Sequence, residues 1–378
     1  MASINMQQCF VRNEQLKHYP TITIDSIPSK FQLIISSTSN MFGKCLFVLI
    51  MFILNLVHGR AIMYSSLDSV FTLKIKSFLF FLIGNWMFIT FYFRYNHKLI
   101  KQIDEHLKGL QIDFDYETRK YFWTRTTLYR WFIRAYYIFS FIIRYCYELY
   151  TWSVKDRSKL SSEVAFKRSI IFYFLLFICA PVAYFKHFCQ IYIEVDLPIL
   201  AQTAVQFNLI KLKKLLNETT KDEKSLNLNA IKNIRHKYLL SCRLVDQINE
   251  VMSPALFFLF TNFIINTCNL SYTLLYTEQS YMSKCYNLIQ NSFSLVGALL
   301  STYSSIKIHD QSLESLATVY KLSLKTNSIR TLNEISLFLN HKEMGFTLGG
   351  MFMLTTSSLS TLFSIFITIV FALPTFAS

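Results

Sequence analysis

Scanned with a window the length of a bilayer crossing, about 20 mostly apolar residues, the chain alternates between long apolar runs and polar stretches. Seven runs qualify as spans: 45–63, 77–93, 131–152, 169–185, 251–276, 285–306 and 346–376. The third carries Arg134, Arg144 and Glu148, of which Arg144 and Glu148 share a helical face and are expected to pair. The fourth contains Pro181, which membrane helices tolerate as a kink. The polar stretches keep a pattern of their own. In "RYNHKLIKQIDEHL" the apolar positions Leu99, Ile100, Ile103 and Leu107 recur at helical spacing, as do those of 199–216, 228–251 and 313–339. Such helices must bury an apolar face, and the economical partner is one another. Only "NETTKDEKS", 217–225, reads as an unstructured break.

The predicted fold is therefore all-α: a polytopic membrane protein of seven transmembrane helices, spanning 45–378. A segment 1–44 precedes it, and helical loops 94–130, 199–250 and 307–345 form an anchor on one side of the membrane and a candidate subunit interface.

Composition agrees. With 52% hydrophobic residues, 36 Phe, 22 Tyr, 16% charged residues and a mean hydropathy of +0.32, one or two soluble domains are excluded. The net charge of +15 does not mark a nucleic-acid binder, because the charges lie between the spans. They also orient the stack. The N-terminal segment and the loops after spans two, four and six hold 26 Lys and Arg, against 9 on the other side, so the N-terminus is expected in the cytoplasm and the C-terminus outside. No early apolar segment with a cleavage site is seen, so span one is expected to act as the insertion signal. The Asn217 sequon would then be cytoplasmic and unmodified.

Chemistry is sparse. GxSxG, P-loop and HExxH motifs are absent, and the eight histidines show no ligand spacing, so no catalytic residue, metal or cofactor is expected. The eight cysteines form no CxxC pair; Cys146 and Cys285 fall near the outer face, which leaves a disulfide between them open. A G-protein-coupled receptor would need the opposite orientation and an NPxxY motif, and a secondary transporter would be expected to show internal repeats. Both stay as alternatives.

Span seven carries a pattern. Ser357, Thr361, Ser364, Thr368 and Thr375 lie on one helical stripe, with Ala372 in the gap, while Phe363, Phe366, Ile367 and Val370 point elsewhere. Such a stripe is either a helix-packing seam or the wall of a water-lined path.

The segment "GMFMLTTSSLSTLFSIFITIVFALPTF", 350–376, resembles the C-terminal signature of the insect gustatory receptor family, a Gly-h-Phe motif followed by TYhhhhhQF with h apolar. Gly350 and Phe352 match the first motif, and Thr368 and Phe376 the ends of the second; Ile369 replaces Tyr and Thr375 replaces Gln. "IRHKYLLSCRLVDQIN", 234–249, is similar to the family's approach to its fifth helix.

The resemblance implies a plasma-membrane, ligand-gated cation channel opened by a small-molecule tastant. It would consist of four subunits, of this chain alone or with other gustatory receptors. The last helix would line the pore through Ser357, Thr361, Ser364, Thr368, Ala372 and Thr375, with Phe376 at the gate, and no tail would be required beyond it. Ligand would be met in the outer halves of the other spans, by Tyr145, Glu148, Trp152, Tyr173, Asn269, Tyr272, Tyr286, Gln290 and Phe293, a mixture of aromatic walls and polar groups that suits a small organic molecule. The alternative role of these side chains is as interfacial anchors. The two departures from the signature favour a bitter-type or orphan member over the sugar-sensing groups.

Overall fold

The computed structural model describes residues 19–28, 41–64, 97–112, 115–151, 191–221, 226–276 and 280–377, with positions 78, 81–82, 85–86, 88–93, 182 and 189 besides. Most of span four, and with it Pro181, lies outside the described residues. The helices are α1 (Met41–Tyr64), α2 (His97–Leu110), α3 (Tyr116–Thr151), α4 (Leu197–Lys221), α5 (Leu228–Tyr276), α6 (Tyr281–Ser323), α7 (Ile329–Leu339) and α8 (Thr356–Ala377). A π-helical turn, Tyr192–Asp196, leads into α4. Among the described residues α5 is long and apolar enough to cross a membrane, and α1 contributes a shorter apolar helix, Met41–Leu56.

Two kinds of surface divide the molecule. At the membrane end α1 exposes Val48 and Phe52, α3 exposes Trp131 and Phe139, α6 exposes Leu288 and Leu299, and α8 exposes Ile365 and Phe371. These apolar side chains on four helices suit a hydrocarbon solvent.

At the other end, which the charge count assigns to the cytosol, α4, α5 and α6 pack together with α2 and α7 against them. α6 shows how the sequence builds this. Ser305, Ile308, Ser312, Ser315, Val319 and Leu322 are spaced by three and four and are all buried. Half of that seam is serine, so the backbones can approach closely. On α4, Ala201, Thr203, Ala204 and Asn208 are buried as well. Asn208 donates to Ser241 Oγ of α5 at 2.6 Å, and Tyr238 of α5 meets Ser312 Oγ at 3.1 Å. The predicted mutual burial of the polar-segment helices is thus what the structure has.

Three boundaries differ from expectation. α4 runs on to Lys221, so 217–221, the first part of the stretch read as an unstructured break, is helical. The periodic segment 313–339 is not one helix: α6 ends at Ser323 and α7 starts at Ile329. Span seven does not start at Phe346 either. Residues 347–353 form a hairpin, β1 (Thr347–Leu348) against β2 (Phe352–Met353), with Thr347 opposite Met353 and Leu348 opposite Phe352. The turn requires left-handed backbone at Gly349 (φ 60°) and Gly350 (φ 73°), which ends any helical continuation. The helix proper starts after a reciprocal cap, in which Thr355 Oγ1 accepts from the Ser358 N–H at 2.9 Å and Ser358 Oγ from the Thr355 N–H at 2.7 Å.

The N-terminal stretch 19–28 docks on the same packed end. Arg119 donates to the Tyr19 carbonyl, Trp123 Nε1 to the Pro20 carbonyl at 2.8 Å, and Arg130 to the Ile27 carbonyl. Ile22, Ile24 and Ile27 are buried beneath these contacts. Arg130 also closes a two-point ion pair on the π-turn, Nε to Asp196 Oδ1 at 2.8 Å and Nη2 to Oδ2 at 2.6 Å. Asp196 is fully buried, which pushes its carboxyl up to about 6, against the downward pull of the Arg130 guanidinium.

Candidate functional site

Helix α8 rests on one neighbour in particular. Leu359 and Leu362 pack against the core, and Phe363 meets Phe263 of α5 edge-on, with ring centroids 6.3 Å apart. Those three positions lie on the side opposite the hydroxyl stripe, so Ser357, Thr361, Ser364 and Thr368 are all exposed. Among the described residues the stripe is therefore not a seam between α8 and another helix. Each of the last three hydroxyls donates to the carbonyl four residues back: Thr361 to Ser357 at 3.1 Å, Ser364 to Ser360 at 3.0 Å, Thr368 to Ser364 at 2.9 Å. With the proton turned inward, the oxygen presents lone pairs outward, a surface that accepts from water and suits cations rather than anions. Ala372, Thr375 and Phe376 continue the helix, and their side chains lie outside the described residues, as does that of Phe366.

The ligand candidates are distributed unevenly. Trp152 and Tyr173 lie outside the described residues; Glu148, Asn269, Tyr272, Gln290 and Phe293 are on helices, with side chains outside them. The Arg144–Glu148 pair falls there too. Tyr145 is half-buried and meets Phe141 at 6.4 Å on its own helix. Tyr286 of α6 does come against span three, but on Tyr147, where the rings stack at 3.9 Å and 7°. Tyr147 OH also meets Ser283 Oγ at 3.0 Å.

Sequence reasoning chose tyrosines by depth and passed over Tyr147. The available signal was the face of α3: Thr126, Ile133 and Tyr137 lie along its inward side, and Tyr147, fourteen residues on from Ile133, falls within about 40° of it. Cys146 and Cys285 are free thiols, so the bridge left open between them is not formed. Cys45, Cys189, Cys242 and Cys268 are free as well.

A third group of polar side chains joins α5 to the hairpin below α8. Asn249 Oδ1 accepts from the Thr347 N–H at 2.8 Å and its Nδ2 donates to Thr347 Oγ1 at 3.1 Å. Ser253 Oγ lies 3.0 Å from Thr347 Oγ1 and accepts from the Gly350 N–H at 2.7 Å, and the Ser253 carbonyl accepts from the Gly349 N–H at 3.1 Å. Gly350, read above as a motif position, thus contributes its backbone.

Residues 169–376, just over half of the chain, match the sequence profile described as 7tm Chemosensory receptor. The chain belongs to that family. None of the curated proteins matches this receptor in sequence. Among solved structures it is similar to the insect olfactory receptor OR5 from Machilis hrabei in complex with eugenol, with a TM-score of 0.61, 13% identity, and 91% of this chain and 95% of that one covered. A second structure of the same olfactory receptor gives a TM-score of 0.57 at 14% identity, covering 91% and 96%. The receptor therefore has the all-α, multi-pass membrane fold of an insect chemosensory receptor.

Proposed function

We propose that this chemosensory receptor is a gustatory-type, ligand-gated cation channel of the plasma membrane, opened by a small organic tastant, and that α8 lines its pore. The observation that carries the reading is the position of the hydroxyl stripe, whose Ser357, Thr361, Ser364 and Thr368 are turned away from α5 and exposed. A helix whose polar face points out of its subunit needs a second polar surface or water to meet it. Four copies about an axis would provide both. The helix has no charged side chain between Thr356 and Ala377, so discrimination would rest on oriented hydroxyl oxygens and a hydrophobic constriction rather than on a charged ring.

Phe376 is assigned to that constriction because it follows the stripe by two turns from Thr368, with Pro374 before it to adjust its aim. Ligand would enter among the outer halves of spans three to six. The eugenol complex of the Machilis receptor supports a small organic molecule as ligand class. The Tyr147–Tyr286 stack supplies an aromatic wall of the required kind.

The test is electrical. Phe376→Ala should raise ligand-independent cation current per surface receptor, and Thr368→Val should lower unit conductance by removing a hydroxyl from the wet wall. Phe366→Ala should change expression alone. Should Phe366→Ala open the channel and Phe376→Ala leave it shut, the pore face named here is wrong.

A further inference from the structure

The geometry points to Asn249, Ser253 and Thr347 as positioning residues that latch the base of α8 to α5 and set its resting angle; this rests on the pore assignment of α8. Asn249 and Ser253 are one helical turn apart, so both face the hairpin. Between them they engage the side chain and N–H of Thr347 and the two N–H groups of the Gly349–Gly350 turn. Ser253 is buried, so its hydroxyl has no solvent to replace these partners.

The hairpin is held from behind as well. The Met344 N–H donates to Ser312 Oγ of α6 at 2.9 Å, and the Leu354 N–H to the Phe346 carbonyl at 2.8 Å. Everything up to Leu354 is therefore tied to the packed end of the molecule.

Immediately above the latch both helices have a point at which they can change direction. In α5 it is Pro254, the residue after Ser253, which lacks the N–H that would bond back one turn. In α8 it is the Thr355 cap, where the chain leaves the hairpin. Past these two points the helices touch through Phe263 and Phe363. A tilt of the membrane half of α5, which runs past the proposed ligand region, would then carry α8 with it about a common level. The latch stays closed in both states, and its side chains determine where the tilt starts.

The receptor carrying Thr368→Cys, purified in lipid nanodiscs, is exposed to a charged methanethiosulfonate reagent, and modification at position 368 is followed by peptide mass. Thr347→Val and Ser253→Ala should each change the modification rate by at least about fivefold, the range of an ordinary coupling between sites. The double variant should add little, since both remove the same contact. Rates within about twofold of the parent would overturn the proposal. A merely structural role would lower yield without moving the rate of the folded fraction. For variants that fail to fold, the pair Ser253→Cys/Thr347→Cys is used instead. Reduced, the pair lacks both hydroxyls and should show the shifted rate; oxidised, the disulfide closes the latch covalently and should bring the rate back to within about twofold of the parent, and equal rates in the two forms would overturn the proposal. The pore reading is judged separately: if modified Thr368→Cys in liposomes does not impede cation flux, that reading fails whatever the latch variants do.

Discussion

Removing the guanidinium of Arg130 should be among the most damaging single changes outside the spans, and the loss should shrink in acid. Arg130 is 14% exposed and Asp196 0%, so Arg130→Met strands a carboxylate where water cannot reach it and frees the Ile27 carbonyl. Breaking a buried pair from one side costs about 3–5 kcal/mol. With about 2.1 cal/mol/K of unfolding entropy per residue, that is a fall in Tm of about 4–6 °C. The pH dependence follows from the raised folded-state pKa of Asp196, about 6 with Arg130 in place. Because the folded form holds the proton more tightly than the unfolded one, the stability this group contributes is full below the ordinary carboxylate value. It is lost as pH rises through about 6. In Arg130→Met the larger downward pull is gone and only the weaker one of Arg134 remains, so the carboxyl rises further and at pH 5.5 the acid is neutral. Melting of the detergent-solubilised protein, followed by size-exclusion fluorescence at pH 7.5 and pH 5.5, checks this. The exposed pair Lys214–Glu218 (3.9 Å) is the control, and Lys214→Met should change nothing beyond about 0.5 kcal/mol. An Arg130→Met loss no larger than that control, or one equal at both pH values, would refute the reasoning.

A tag after Ser378 should be reached by antibody on unpermeabilised cells, as the distribution of basic residues requires; access only after permeabilisation would reverse the orientation. The packed end exposes Tyr320, Leu324, Ile329 and Leu332 around the α6–α7 junction, so replacing Leu324, Ile329 and Leu332 with Ser should reduce the proposed tetramer to smaller species while leaving the monomer folded, read by native mass. Gly349→Ala should cost about 1–3 kcal/mol, because a Cβ there would lie 3.2 Å from the Phe257 ring on a backbone with φ 60°; Gly350→Ala, whose Cβ meets nothing, should cost about 1–2 kcal/mol from backbone conformation alone, as thermal melts of the two variants would show.

Much of this architecture was legible because it is periodic. Span five ends at Tyr276 as its apolar run does, and the burial of Ile248 and Met252 on α5 or Ile308 and Val319 on α6 follows from spacing alone. The hairpin was lost because "FTLGGMFML" is as apolar as the span it precedes, so a hydropathy window joins the two. Its Gly-Gly pair was the turn signal to weigh. Docking of 19–28 on α3 had no local signature at all: it depends on carbonyls, which every residue has, meeting Arg and Trp side chains about a hundred positions on. The Tyr147–Tyr286 stack was readable by helical face and not by residue type. The hydroxyl stripe was readable as one helical face from Ser357 to Thr368, but not which side of α8 meets α5, since that depends on where Phe263 stands.

The docking of 19–28 also orders events during synthesis. These residues leave the ribosome 100 to 103 positions before Arg119, Trp123 and Arg130 that hold them, and Asp196 comes another 66 after Arg130. At roughly 5–20 residues per second, Ile22, Ile24 and Ile27 wait about 5–20 s with no surface to cover them. The first crossing is threaded during that interval, so the segment spends it tethered at the bilayer, where binding to a holding factor and premature pairing compete. Slowing translation before codon 130 should therefore harm the yield of this chain more than the same delay placed after codon 200.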